Sequence, residues 1–209
     1  MTAQNKLSVR SLSATRGRRP VLEDVDLDAS SGQVIQIMGA NGSGKSTLLR
    51  IIAGLALPDH GSIYWNEADS NHLGRDAFRR ASLYIGHKGG VADDQTAVEN
   101  LELFQRVNAA RSTRTPQEAL EKIGYNAALD VFAAKTSAGQ RQRVALAKLL
   151  LVQAPLWLLD EPFTALDKDG KALLETFLAE HCQNGGIAVI ATHQPISLPA
   201  EQVKNFLLD

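Results

Sequence analysis

Three short segments, Val34 to Met38, Leu156 to Leu159 and Ile187 to Ala191, are apolar, β-prone and without polar alternation. A strand with one wet face alternates at period two, so such runs predict strands covered on both faces, as in a largely parallel sheet. Between them the period becomes helical. Lys45 to Gly54 ends on a glycine, and Gly139 to Val152 sets Val144, Leu146, Ala147, Leu150 and Leu151 on overlapping apolar faces. Strand and helix alternate, which predicts winding by right-handed crossovers. The N-terminal part differs: Leu7 to Leu12, Val21 to Leu27 and Gly61 to Trp65 are short, turn-bounded and β-prone, the signature of a small antiparallel sheet beside the main one. From Thr96 to about Asn126 the pattern is helical and polar, with Gly124 as its stop. The expected fold is therefore α/β, with a mainly parallel core sheet, an N-terminal antiparallel β subdomain, and a helical subdomain inserted from about residue 90 to residue 150.

Composition narrows the functional classes. With 209 residues, 44% hydrophobic and 22% charged, one compact domain over 1–209 is expected. A net charge of -1 supplies no field that would gather nucleic acid, so the arginines at 16 to 19 and 141 to 143 are read locally. The lone cysteine, Cys182, allows no internal disulfide or cysteine metal site; it reads as a small apolar filler in a reducing compartment. The longest apolar stretch, Val144 to Leu159, is broken by Lys148, Gln153 and Pro155 and is shorter than the roughly 20 residues a membrane span needs. Met1 to Ser11 contains no apolar segment of the kind a secretory leader carries. A cytoplasmic protein is expected, and any transport role would need separate membrane subunits.

Two motifs carry chemistry. Gly39-Ala40-Asn41-Gly42-Ser43-Gly44-Lys45-Ser46-Thr47 follows a predicted strand and opens a predicted helix, the setting of a phosphate-cradling loop. Glycine lets the backbone curl until several N–H groups converge on phosphate oxygens, and the helix adds its positive end. Lys45 should reach the β- and γ-phosphates and Ser46 should ligate Mg²⁺, so a nucleoside triphosphate with Mg²⁺ is the expected ligand. The second motif, Leu156-Trp157-Leu158-Leu159-Asp160-Glu161, drives a buried strand into two acids at the end where ligands bind in open α/β sheets. Asp160 is expected to hold Mg²⁺. Glu161, pointing to the opposite side of the strand, is expected to polarise the attacking water.

With Ser137-Ala138-Gly139-Gln140-Arg141-Gln142-Arg143-Val144 ahead of this acidic tip, Pro162 after it, the Ala165-Leu166-Asp167 turn, and His193 beyond the last core strand, the chain resembles the ATPases of ABC transporters. That resemblance implies a P-loop NTPase fold of the ABC type. It also implies that ATP is the nucleotide, that Ser137, Ala138, Gly139 and Gln140 face the γ-phosphate held by a second copy in an ATP-sandwich dimer, that Asp167 crosses the dimer interface, and that His193 supports the catalytic Glu161; read by itself, Asp167 is a helix N-cap, and both roles can hold. Arg141 and Arg143 themselves read as solvated positions of an amphipathic helix.

Several positions depart from the family pattern. His87, in Tyr84-Ile85-Gly86-His87-Lys88, stands at the Q-loop position, where most members carry glutamine. Ala138 replaces a glycine and cannot adopt φ > 0 cheaply, which leaves the tightness of that anion loop open. Leu12 to Pro20 holds no aromatic residue to stack on adenine, so Arg16 or Arg18 is the candidate, against a solvated surface arginine. Together these features resemble the ATP-binding subunits of the heme exporter of bacterial cytochrome c maturation. Implied partners are the exporter's integral membrane subunits, at the cytoplasmic face of the inner membrane, with ATP turnover driving heme export or release of a heme-loaded periplasmic chaperone. With no C-x-x-C-H site, no direct heme binding is expected. An ABC ATPase with another cargo, and a soluble ABC-type mechanical ATPase, remain as alternatives.

Overall fold

A computed structural model of the chain describes residues 4–69, 75–109 and 112–208. In chain order it forms β1 (Lys6–Arg16), β2 (Arg19–Ser30), β3 (Val34–Met38), α1 (Lys45–Ile52), β4 (His60–Trp65) and β5 (Ala68–Asp69). Then follow α2 (Arg75–Ala81), β6 (Ser82–Ile85), α3 (Ala97–Val107), α4 (Pro116–Lys122) and α5 (Ala138–Leu151). The chain closes with β7 (Leu156–Asp160), α6 (Lys168–Gln183), β8 (Ile187–Ala191) and β9 (Val203–Leu207).

Two sheets result. β1, β2, β4 and β5 form an antiparallel sheet in the order β2-β1-β4-β5, and the other strands form a five-stranded sheet in the order β6-β7-β8-β3-β9. Every pairing recorded in the second sheet is parallel. Its apolar runs are explained by alternation between two cores. In β7, Leu156 and Leu158 enter the core shared with α1 and the antiparallel sheet. Trp157 and Leu159 enter the core built with α3 to α6. With both faces covered by apolar layers, both sets of alternate positions are mostly apolar; the buried Gln36 in β3 is satisfied by donating to Gln194 O at 2.9 Å.

The helices are set by local signals. Thr96 and Thr115 each cap a helix through a reciprocal box with a glutamate three residues on, Glu99 and Glu118, which satisfies two orphan donors per helix. Gly124 has φ 69°, and Tyr125 N–H donates back to Leu120 O at 2.9 Å, the left-handed stop that ends α4. Beyond its first turn α5 is enclosed, with Arg143 to Leu151 continuously buried, which is why its apolar positions overlap faces instead of forming one stripe.

Burial at Arg143 and hydrogen bonding at the half-buried Arg141 correct the solvated reading of both. Arg143 is 9% exposed, and its guanidinium donates to Ile123 O at 2.7 Å and to Asp167 Oδ1 at 2.6 Å. Arg141 donates to Thr136 O at 2.7 Å. α5 lies between α4 and the start of α6, so its arginines reach backbone carbonyls before they reach water. Cys182 is buried as expected, and burial pushes its thiol up to about 11.

Candidate active site

The segment between β3 and α1 is shaped by close approaches that only glycine permits at two places. Gly39 has φ 152°, and a Cβ there would lie 2.2 Å from Leu208 O; Gly44 has φ 98°, and a Cβ there would lie 2.4 Å from Val21 O. Gly44 is also the N-cap of α1 and provides no side-chain cap. The helix therefore offers its first N–H groups and its positive end to an anion instead of to its own side chain. Lys45 is buried at 8% exposure and donates to Gly39 O and Ala40 O, both at 2.8 Å. Two carbonyls thus hold a cation at the mouth of the loop, where it can exchange them for phosphate oxygens.

Around this loop a cleft of about 240 Å³ is lined by Arg16, Val21, Asn41, Gly42, Gly44, Lys45, Ser46, Thr47, His87, Asp160, Glu161 and His193. Strand ends gather the acidic and imidazole groups: β7 delivers Asp160, and His193 follows β8 by two residues, in the parallel register that sets Asp160 beside Ala191. With the proton on Nε2, His193 donates to Asn41 Oδ1 at 3.0 Å, and the same nitrogen lies 3.6 Å from Glu161 Oε1. Burial first, and the Asp160 charge second, raise the nearby Tyr84 hydroxyl above its ordinary range. Ser46 and Asp160 both offer oxygen to this cleft, the donor type that Mg²⁺ takes, usually with several waters retained.

Glu161 reaches the cleft by a route the strand period does not describe. β7 ends at Asp160, and Glu161 has φ 51°, so a left-handed turn, instead of strand alternation, aims the carboxylate. Glu161 N–H donates to Ala191 O at 2.8 Å, which anchors the turn to β8. Of the anticipated phosphate-loop residues, Gly39 and Ser43 do not line the cleft; the Ser43 hydroxyl is buried and without a hydrogen-bond partner. Val21 lines it and was legible only as a strand residue.

Ser137, Ala138, Gly139, Gln140 and Asp167 lie outside this cleft. Ser137 caps α5 by accepting from Gln140 N–H at 3.1 Å, and the Gln140 amide donates to Asn126 Oδ1 at 2.6 Å. Asp167 caps α6 through Gly170 N–H at 2.9 Å. Ala138 is the first residue of α5 and has no positive φ, so its side chain causes no strain and the concern over a looser loop falls away. Gly139 is the position where a side chain is excluded: a Cβ there would lie 2.8 Å from Ala165 O.

Residues 22–164 match the ABC transporter family. The chain belongs to that family. Among its ABC relatives, the cytochrome c biogenesis ATP-binding export protein CcmA of Haemophilus influenzae is 45% identical over 198 residues, spanning 94% of this chain and 92% of the relative. A Pyrococcus furiosus protein assigned to the ABC transporters as an ATP-binding protein matches at a TM-score of 0.79 and 27% identity, with 97% of both chains covered. A dimeric ATP-binding cassette in a post-hydrolysis state, bound to ADP and Pi, matches at a TM-score of 0.76 and 27% identity, over 90% of this chain and 88% of the other. This ABC family member carries its parallel sheet, antiparallel sheet and helical layer in the arrangement expected of the fold. No helix among its described residues is long and apolar enough to cross a membrane.

Proposed function

We propose that this chain is the ATP-hydrolysing subunit of an ABC transporter complex in bacterial c-type cytochrome biogenesis, powering heme export or release of a heme-loaded periplasmic chaperone. Its 45% identity to a cytochrome c biogenesis ATP-binding export protein supports the process. The chemistry rests on one observation: Asp160, Glu161 and His193 converge on the cleft of the phosphate loop. A loop alone would bind a nucleotide, whereas a carboxylate and an imidazole beside it can orient water and act on the terminal phosphate.

In this reading the backbone N–H groups at Asn41, Gly42, Ser43, Gly44, Lys45, Ser46 and Thr47, after the turn at Gly39, hold the phosphate oxygens of ATP. Lys45 exchanges its two carbonyl partners for the β- and γ-phosphates. Ser46 and Asp160 hold Mg²⁺, which supplies charge neutralisation between those phosphates. Glu161 orients the attacking water, and His193 steadies the γ-phosphate side of the cleft. His87 contributes from the loop after β6, and Arg16 lies where its guanidinium can stack on the base.

The exposed residues Ser137 and Ala138, with Gly139 and Gln140, act on the nucleotide of a second copy, and Asp167 lies at the same interface. The dimeric neighbour supports such pairing. The chain works as one domain over 1–209, with about 90–150 as its helical subdomain. It sits peripherally at the cytoplasmic face of the inner membrane, where integral membrane subunits of the exporter carry the transport path.

The test is Glu161→Gln, assayed for ATP binding, hydrolysis and mass. ATP binding should persist, hydrolysis should fall by about 10²-fold or more, and a nucleotide-bound pair should accumulate on gel filtration. Hydrolysis at the wild-type rate would remove Glu161 from its role.

A further inference from the structure

The turn after β7 is bent through conformations that its residues disfavour. Glu161 has φ 51° and Ala165 has φ 62°, both in the left-handed region that strains residues carrying a Cβ. Strain of this kind persists only where the surroundings over-determine it. Here much of the surrounding is one face of α5. Gln142 Nε2 donates to Pro162 O at 2.8 Å, and Arg143 donates to Asp167 Oδ1 at 2.6 Å. Gly139 approaches until a Cβ would touch Ala165 O at 2.8 Å. Positions 139, 142 and 143 are spaced i, i+3 and i+4, which puts them on one side of the helix.

Among these contacts the one at Gln142 is nearest the chemistry. Pro162 directly follows Glu161, is buried, and has no N–H, so its carbonyl is its one backbone hydrogen-bonding group. The Gln142 amide is the donor to that carbonyl. Gln142 also lines the adjoining cleft of about 340 Å³, together with His87, Ala138, Thr164 and Ala165. It therefore links the helix capped by Ser137 to the turn that aims Glu161.

We propose that Gln142 is a positioning residue for Glu161: through the Pro162 carbonyl it holds the left-handed turn so that the Glu161 carboxylate stays beside His193. This rests on the reading of Glu161 as the water-orienting group. Because α5 also carries Ser137, the same contact ties the surface offered to a second copy to the position of the chain's own carboxylate. A displacement of about 1 Å at a reacting group can cost roughly 10²-fold in rate, so one hydrogen bond that sets the turn has ample leverage.

The decisive substitution is Gln142→Met, which keeps the length of the side chain and removes the donor. On the full chain, at concentrations that support pairing, kcat should fall about 10- to 100-fold while the KM for ATP stays within about twofold, the split expected when a group acts on the transition state alone. In a Glu161→Gln background the same substitution should change the residual single-turnover rate by less than about twofold, because its route of action has already been removed. A wild-type kcat in Gln142→Met overturns the proposal, and so does an equal fold-loss in both backgrounds, which is the mark of a merely structural residue. If Gln142→Met does not fold, Gln142→Asn carries the test, since its amide is one methylene short of Pro162; a wild-type kcat there is equally fatal. The two readings fail separately. An active Glu161→Gln removes the role of Glu161, whereas an inert Glu161→Gln beside a fully active Gln142→Met removes only that of Gln142.

Discussion

Replacing Arg143 by methionine should destabilise the fold by about 2–3 kcal/mol, and the structure says where that cost arises. The guanidinium makes two bonds of different worth. Its bond to Ile123 O, at 2.7 Å, is buried, and leaving a buried carbonyl without its donor costs about 1–3 kcal/mol. Its bond to Asp167 faces a side chain that is 69% exposed, so solvent screening holds that ion pair to about 0–1 kcal/mol. Asp167 moreover keeps its cap bond to Gly170 N–H without the arginine. Removing a buried charge returns part of its desolvation cost, which keeps the total below the upper end of the sum. For a chain of this size each kcal/mol lowers the melting temperature by about 2–4 °C, so a fall of roughly 4–12 °C is expected. Asp167→Asn, which retains the cap acceptor, should cost less than about 1 kcal/mol. Urea unfolding of the two single variants and the double variant measures this directly. If Asp167→Asn costs as much as Arg143→Met, the ion pair and not the Ile123 carbonyl dominates. If Arg143→Met stays within about 0.5 kcal/mol of wild type, as a surface substitution would, the guanidinium is not the buried clamp described.

Two further expectations concern pH. Burial pushes the Lys148 ammonium from its ordinary 10.5 down to about 8, while it donates to Gly89 O and Gly90 O at 2.9 and 2.7 Å. Between those values the unfolded chain binds the extra proton, so Lys148 makes stability rise with pH across that window, by roughly 1 kcal/mol between pH 7.5 and 9. Parallel denaturation should show the rise in wild type and not in Lys148→Met, and an equal rise in both would refute it. The difference between the two profiles isolates Lys148, because the buried Cys182 thiol, raised to about 11, lowers stability with pH from about 8.5 upward in both variants alike. His181, stacked on Trp157 with ring centres 3.8 Å apart, is held neutral by burial, its value pushed down to about 4. The folded value lies below the unfolded one, so stability present above pH 6.5 is lost as pH falls toward 4, by roughly 3 kcal/mol over the whole window. His181→Gln should flatten that acid slope relative to wild type, and an unchanged slope would place the acid sensitivity elsewhere.

Local pattern determined a good deal of this molecule. The apolar runs at Val34 to Met38, interrupted by Gln36 alone, Leu156 to Leu159 and Ile187 to Ala191 required cover on both faces, because each period-two set had to be buried. The glycine spacing from Gly39 to Gly44 required a curled backbone, and Gly124 a left-handed stop. The acids at Asp160 and Glu161 had to emerge at a strand tip. Each of these follows from one residue and its near neighbours along the chain.

What the chain pattern left open was decided by contacts between distant segments. β9 contains only half-buried and exposed positions, with no regular alternation, a weak signal that became a strand because β3 pairs with it in parallel. Arg143 looked like any solvated helix arginine until α4 and the α6 cap closed over it. Glu161 reaches its cleft by a left-handed turn that no side-chain period announces, because the turn is imposed from α5 and from Ala191. Sequence period tells a residue which side it faces; only the packed structure decides what stands on that side, since burial and hydrogen-bond partners depend on segments that meet through tertiary folding.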